Sequence, residues 1–264
     1  MSKMNENIKL VPALRFSEFV GDGEWNNSTI EDISSIASGG TPSRAKPKYW
    51  NGNIPWVSTT LIDFNKIKEA NEFITEMGLE NSSTKIYPKD TILMAMYGQG
   101  KTRGKVAILG IEATINQACA AITLKEGMNT DFVFQNLAAR YDEIRGMSNQ
   151  GGQKNLSGAL IKKIPFFYPD IKSNEQQKIA STLTSLDQLI ATENKKLEAL
   201  QDHKKGLLQQ LFPAKGKKVP KVRFGEFSGE WEKTTLGELA KFRRGSFPQP
   251  YGLDKWYDDE NGMP

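Results

Sequence analysis

The sequence predicts an α+β chain in which one mixed α/β domain is followed by a long coiled-coil helix and then by the start of a second copy of the domain. Three observations predict it: an internal repeat about 207 residues apart, a stripe of apolar residues spaced alternately by three and four, and short apolar runs separated by glycine- and amide-rich loops. The expected boundaries are 1–169 for the domain, 170–213 for the helix and 214–264 for the linker and the second start.

The first domain opens with Pro12-Ala-Leu-Arg-Phe-Ser-Glu-Phe19, which returns as Pro220-Lys-Val-Arg-Phe-Gly-Glu-Phe227. Gly23-Glu24-Trp25 answers Gly229-Glu230-Trp231, and Thr29-Ile30 answers Thr235-Leu236. That spacing is far longer than the ~20–50 residues of a solenoid repeat, so it marks a duplicated domain. Within the domain, Ile54–Val57, Thr91–Met96, Lys105–Leu109 and Ala118–Leu124 suit buried strands. Phe134, Leu137, Tyr141 and Ile144 have helical spacing, with Gly146 as C-cap.

The long helix lies between Pro169 and Pro213, with Ser173 as N-cap and Gln176 completing a capping box. Its seam is Leu183, Leu186, Ile190, Leu197, Leu200, Leu207 and Leu211, interrupted at Glu193 and Lys204. About 40 helical residues extend ~60 Å, too far for one small domain to cover, so the helix is expected to pair with another.

Several classes of function are excluded by composition and motif. With only Cys119 and His203, neither an internal disulfide framework nor a Cys/His zinc site is expected. No apolar run approaches ~20 residues, and Met1–Asn7 is polar, so neither a membrane span nor a secretory signal is expected and the chain reads as cytoplasmic. Ala95-Met-Tyr-Gly-Gln-Gly-Lys-Thr102 fits a relaxed phosphate-loop pattern. The lysine of such a loop must open a helix, yet Lys105–Leu109 is strand-like, so a hairpin tip is expected there. Asp187, Glu193 and Lys195 fall on the amphipathic helix and read as its solvated flank rather than as a nuclease site. No catalytic residue is assigned.

Charge distribution says more than the net charge of +4. Three windows, 33–62, 91–111 and 144–169, contain no Asp or Glu but ten Lys or Arg, a pattern suited to a surface facing phosphates. A further basic run from Lys204 to Arg223 has seven Lys or Arg and no acid; it either lines nucleic acid or solvates the helix end.

Particular residues then carry a family resemblance. Ser38-Gly-Gly-Thr-Pro-Ser43 with Tyr49-Trp-Asn-Gly-Asn-Ile-Pro-Trp-Val-Ser58, then Gly104–Ile108, Ala113–Ala118, Gly152–Leu156, Ile164-Pro-Phe166 and Glu175–Ile179 with Leu183 and Leu186-Asp187, follow one another in order. This resembles the specificity subunit of type I restriction-modification enzymes, in a half-length form with one complete target-recognition domain. The resemblance implies a non-enzymatic subunit reading one half of a bipartite site in double-stranded DNA. It implies methyltransferase subunits and a restriction (translocase/nuclease) subunit as partners. S-adenosylmethionine and ATP with magnesium would belong to those partners, and no cofactor or metal to this chain. Self-association as a homodimer through the seam is expected, with no membrane partner. A scaffold without DNA specificity is the alternative, and a phosphate-loop nucleotide enzyme a remoter one.

Base-reading and phosphate-holding residues are expected in the acid-free loops, where glycines allow close backbone approach. Arg44, Lys46, Lys48 and Tyr49 would anchor the first loop, with Ser58 and Thr59 near base edges. Tyr97, Gln99, Lys101 and Arg103 sit at the hairpin tip; Gln150, Gln153, Lys154 and Asn155 form the amide-rich loop. Trp50 and Trp56 are expected in the core, and Asn116 and Gln117 either contact bases or satisfy loop backbone.

Overall fold

The structure, a computed structural model, describes residues 10–98, 101–147 and 155–245. The chain divides into two compact units, Met1–Ala191 and Thr192–Pro264.

In the first unit the strands are β1 (Asn26–Thr29), β2 (Ser34–Ser38), β3 (Trp50–Val57), β4 (Asn65–Ile67), β5 (Glu72–Ile74), β6 (Ile86–Tyr87), β7 (Ile92–Ala95), β8 (Val106–Leu109), β9 (Ala113–Ile115), β10 (Cys119–Leu124) and β11 (Pro165–Tyr168). The helices are α1 (Ile30–Ile33), α2 (Glu76–Glu80), α3 (Thr130–Ala139), α4 (Tyr141–Gly146), α5 (Gly158–Lys162) and the long α6 (Glu175–Leu211), which continues into the second unit. A five-stranded sheet has the order β2-β10-β7-β8-β4, a four-stranded one β5-β3-β9-β6, and β1 pairs with β11.

The all-apolar runs have a direct physical cause. Side chains alternate across a strand, so Ile92, Met94, Val106, Ile108, Ala120 and Ile122 point to one face of the five-stranded sheet. There they pack on Ile30, Phe132, Leu137, Ile144 and Phe166. The intervening Leu93, Ala95, Ala107, Leu109, Cys119 and Ala121 point the other way, against Val57, Ile67, Tyr87 and Ile115 near the four-stranded sheet. A strand buried on both faces has no polar alternation to show.

Two local expectations are corrected. The residues Phe134 to Ile144 are not one helix: the chain breaks at Arg140 and restarts as α4, with Met147 rather than Gly146 as C-cap. Arg140 is held there by Glu143, by the Asn136 amide and by the Pro165 carbonyl at 2.6 Å. At the start of α6 the Ser173 hydroxyl accepts from the Glu175 N–H at 3.1 Å, but Gln176 does not close a capping box. Its amide turns into the domain, accepting from the Asn129 N–H at 3.0 Å and donating to the Gly127 carbonyl at 3.4 Å.

The repeat folds alike in both units. Phe19 N–H bonds the Phe16 carbonyl at 3.0 Å, as Phe227 does Phe224 at 3.1 Å. Trp25 N–H bonds the Leu10 carbonyl and Trp231 the Lys218 carbonyl, at 2.7 and 2.8 Å. Arg15 and Arg223 each donate to a glycine carbonyl, Gly23 and Gly229. Thr29 with Asp32 caps α1, and Thr235 with Glu238 caps α7 (Leu236–Leu239). In the first unit the Arg15 guanidinium also forks onto Glu175 at 2.8 and 2.6 Å, both side chains being almost wholly buried. Hydrogen bonding to Glu175 raises the Arg15 pKa above its ordinary value.

Candidate nucleic-acid interface

The register of the strands brings several loops to one rim. Cys119 at the start of β10 faces Ala95 at the end of β7, Met94 faces Val106 at the start of β8, and Ala120 faces Ser38 at the end of β2. In the neighbouring sheet the ends of β3 and β9 align, with Val57 beside Ile115. Gly39 N–H to Cys119 carbonyl, Gly40 N–H to Ile115 carbonyl and Asn116 N–H to Val57 carbonyl join the two sheets at that edge. Loops 39–49, 58–64 and 116–118 and the described ends of the β7–β8 connection, 96–98 and 101–105, therefore emerge together. Leu156 N–H bonds the Met96 carbonyl at 2.9 Å, which adds Asn155 to the group. The approach at Gly39 is so close that a Cβ there would stand 2.0 Å from the Ile115 carbonyl oxygen.

The first loop carries the most elaborate chemistry. The Arg44 guanidinium lies 3.6 Å from the centre of the Trp50 ring and 4.9 Å from that of Trp56. It also forks onto Glu72, whose carboxyl is held below its ordinary pKa by that hydrogen bond, while Arg44 is raised in return. The two tryptophans meet edge to face at 5.2 Å; Trp56 is buried and donates to the Gly40 carbonyl at 3.0 Å, whereas Trp50 is half-buried. Tyr49 lies beneath the surface, with Lys46 Nζ 3.2 Å from its hydroxyl and Lys48 Nζ 5.9 Å from its ring centre. Ser58 bonds the Thr60 hydroxyl at 2.7 Å, and Thr59 opens a short 3-10 turn.

The second loop is the expected hairpin: β7 and β8 pair antiparallel across it, and no helix follows Lys101. A phosphate loop is thereby ruled out. Tyr97 and Lys101 are exposed at the tip, while Arg103 is buried and donates to the Arg145 carbonyl at 3.3 Å. Tyr141 donates to the Lys101 carbonyl at 2.5 Å and accepts from Arg145 at 2.6 Å, which ties the hairpin to α4. Gln99, Gln150, Gln153 and Lys154 lie outside the described residues.

The rim also holds groups that pattern alone does not single out. Phe64 has a left-handed backbone, with φ of 52°, is exposed, and packs edge to face on Tyr141 at 5.3 Å. Beside it Lys105 pairs with Asp63. Thr41 donates to the exposed Gln117 amide oxygen, and Asn116 accepts from the Ala118 N–H at 3.1 Å, a loop-backbone role. The only sequence signal for Phe64 was an aromatic residue between polar neighbours.

On α6, Leu183, Leu186, Ile190, Leu197, Leu200 and Leu207 are exposed and Leu211 is half-buried, so the seam lies open along the helix. Among the described residues no group of His, Cys, Asp or Glu could hold a metal ion, and no helix is long and apolar enough to cross a membrane.

Comparison with known proteins agrees with this architecture. Residues 22–202 match the family model of the type I restriction modification DNA specificity domain. The chain is 29% identical over 236 residues to the type I restriction enzyme MjaIX specificity subunit of Methanocaldococcus jannaschii, covering 84% of this chain and 53% of that protein. It is 30% identical over 193 residues to the EcoR124I/EcoR124II specificity subunit of Escherichia coli, covering 72% of this chain and 46% of that one. The chain thus spans about half the length of the curated relatives it matches. Among solved structures, a chain of a type I R-M system has a TM-score of 0.56 at 12% identity, over 76% of this chain and 47% of that one. The HsdS subunit from Thermoanaerobacter tengcongensis has a TM-score of 0.50 at 12% identity, over 65% and 39%. These likenesses show a shared fold, and the match over more than half of the chain shows the family: this chain belongs to the type I restriction-modification DNA specificity domain family.

Proposed function

We propose that the chain is a non-catalytic DNA-specificity subunit whose rim of strand-end loops reads one half of a bipartite site. The observation that carries this reading is the convergence of loops 39–49, 58–64 and 116–118 with segments 96–98 and 101–105 on one edge, bearing cations, amides and hydroxyls on a two-sheet frame. Lys46, Lys48 and Lys101 hold phosphates, and Arg44 does so by exchanging Glu72 for a phosphate oxygen. Ser58, Thr59, Tyr97, Gln99, Gln117, Gln150, Gln153, Lys154 and Asn155 supply groups for base edges. Tyr49 and Arg103, being buried, position these loops from beneath.

The assembly would add methyltransferase subunits, which carry S-adenosylmethionine, and a restriction subunit, which uses ATP and magnesium; all would work in the cytoplasm. Two copies pair antiparallel along the open seam of α6, and two-fold symmetry gives an interrupted palindrome. Leu197→Glu is expected to abolish that pairing, read by light scattering.

The test is to express the chain with its cognate methyltransferase subunit and to map methyladenine across the host genome. Methylation at a gapped palindrome is the expected result. An asymmetric motif would overturn the homodimer and assign the other half to a second specificity chain. No new methylation, with the subunits still co-purifying, would overturn DNA reading in favour of a bare scaffold.

A further inference from the structure

The rim carries one aromatic ring that local backbone preference does not account for. Phe64 lies immediately before β4, beside the start of β8, where its N–H bonds the Val106 carbonyl at 2.9 Å. Among the described residues three other than glycine have positive φ: Asn51, Phe64 and Asp90. Asn and Asp tolerate that backbone through their short polar side chains, whereas a bulky residue there is strained. Strain of this kind persists only where the surrounding structure imposes it, and it collects at sites of function.

Here the surroundings fix the ring in place. The Asp63 N–H bonds Asn65 Oδ1 at 3.0 Å, which closes the turn. The Tyr141 ring meets Phe64 at 90° and 5.3 Å, and Tyr141 is itself tied to the β7–β8 hairpin through the Lys101 carbonyl. Lys105 Nζ stands 5.7 Å from the Phe64 ring centre and pairs with Asp63. The residue nonetheless stays 38% exposed. With Tyr141 and Lys105 against it, the ring is not bare on both faces, as a wedge between two bases must be. What it offers to a partner is an apolar edge.

The charge beside the ring says which part of a duplex it meets. Residues 33–62 carry no acid, and Asp63 ends that run with its side chain 67% exposed. A carboxylate is repelled by phosphates, so this point of the rim faces the floor of a groove rather than the backbone. In the major groove thymine is distinguished by its C5 methyl, the one group there that an apolar side chain can read. We propose that Phe64 is a specificity-determining residue whose exposed ring edge packs against the C5 methyl of a thymine in the major groove. The inference rests on the DNA-reading function above and deepens it by naming one base and one group on it. The left-handed turn sets where the ring stands, and Tyr141 couples it to the hairpin.

Base analogues test this with the full chain and its methyltransferase subunit, on a duplex of the site that methylation mapping reveals. Each thymine of one half-site is replaced in turn by deoxyuridine, which lacks only the methyl. At one position the replacement is expected to weaken binding, read by fluorescence anisotropy, about 4-fold, the worth of one buried methyl group. Phe64→Asn removes the ring and suits the left-handed turn, and it should bind the thymine and deoxyuridine duplexes equally. A ring that merely props the hairpin would instead leave the thymine preference intact in that variant, which overturns the proposal. So does a native chain that prefers the mapped site to a scrambled duplex but is indifferent to every replacement, an outcome that needs no variant and leaves DNA reading standing. No preference for the mapped site over the scrambled duplex overturns both.

Discussion

Glu175→Gln isolates the contact that fastens the first repeat to the start of α6. In the native state the Glu175 carboxylate accepts two hydrogen bonds from Arg15 at 2.8 and 2.6 Å and a third from the Trp25 indole at 3.4 Å. The two side chains retain 1% and 5% of their exposure. Removing one charge from such a pair leaves the other buried without compensation, which costs about 3–5 kcal/mol. A neighbouring groove lets water approach Arg15, so the lower end applies: about 3 kcal/mol, or about 6–12 °C in Tm for a domain of this size. Thermal melts followed by circular dichroism, with urea titrations for the free energy, measure it directly. Arg15→Met/Glu175→Leu should be less destabilised than the sum of its single variants, because the apolar pair leaves no orphaned charge. Arg223→Met provides a control, since the same residue in the same motif has no described carboxylate partner; it should cost less than about 0.5 kcal/mol. A loss below about 1 kcal/mol for Glu175→Gln would refute the reasoning, since it would equate this pair with an exposed surface contact.

Three further outcomes are expected. Glu72, held below its ordinary pKa by Arg44, adds stability that is present above the unfolded value near 4.3 and is lost as pH falls through the folded one. Because the pair is 54% and 40% exposed, Glu72→Gln should change stability by no more than about 1 kcal/mol, flattening the acid side of the Tm profile. The same variant removes the carboxylate that Arg44 must leave and should strengthen DNA binding with the salt slope little changed, since Arg44 holds a phosphate in both proteins. Gly39→Ala, whose Cβ would meet the Ile115 carbonyl oxygen at 2.0 Å, should destabilise the fold by about 3 kcal/mol and impair DNA binding; Gly146→Ala, with nothing within 4 Å, should do neither. Cys119, its thiol pushed up to about 12 by burial, should resist maleimide at pH 8 until the chain unfolds; stoichiometric labelling of native protein would contradict the burial.

The elements legible in the sequence were those whose physics is local. Strands β7, β8 and β10 announced themselves as unbroken apolar runs because both of their faces are covered. The long helix was readable from its 3–4 spacing and from the serine before it. Strands β4, β5, β6 and β9 have two or three residues each, too few for any period to show. The break at Arg140 was hidden because its cause, the Pro165 carbonyl, lies 25 residues away. The rim was half legible. Acid-free windows pointed to loops 39–49 and 96–105, but a count of charges cannot tell Lys101, which is exposed, from Arg103, which is buried. Nor can it show that Arg44 is already matched to Glu72, 28 residues on. The Arg15–Glu175 pair spans 160 residues, and nothing near either residue hints at the other.

The five-stranded sheet is covered on both faces, and this shapes how the family can change over time. A residue in β7 or β8 cannot be altered without disturbing a neighbour above or below it, so the frame tolerates little drift. Loops at the rim are free of that constraint, except where Gly39 meets β9 and Gly40 meets Ser83 and Thr84. Inheritance can therefore rewrite what the rim touches while leaving intact the platform that holds it. On the proposed function, new preferences for sequence would arise by exchanging loops alone, as type changes in a fixed press.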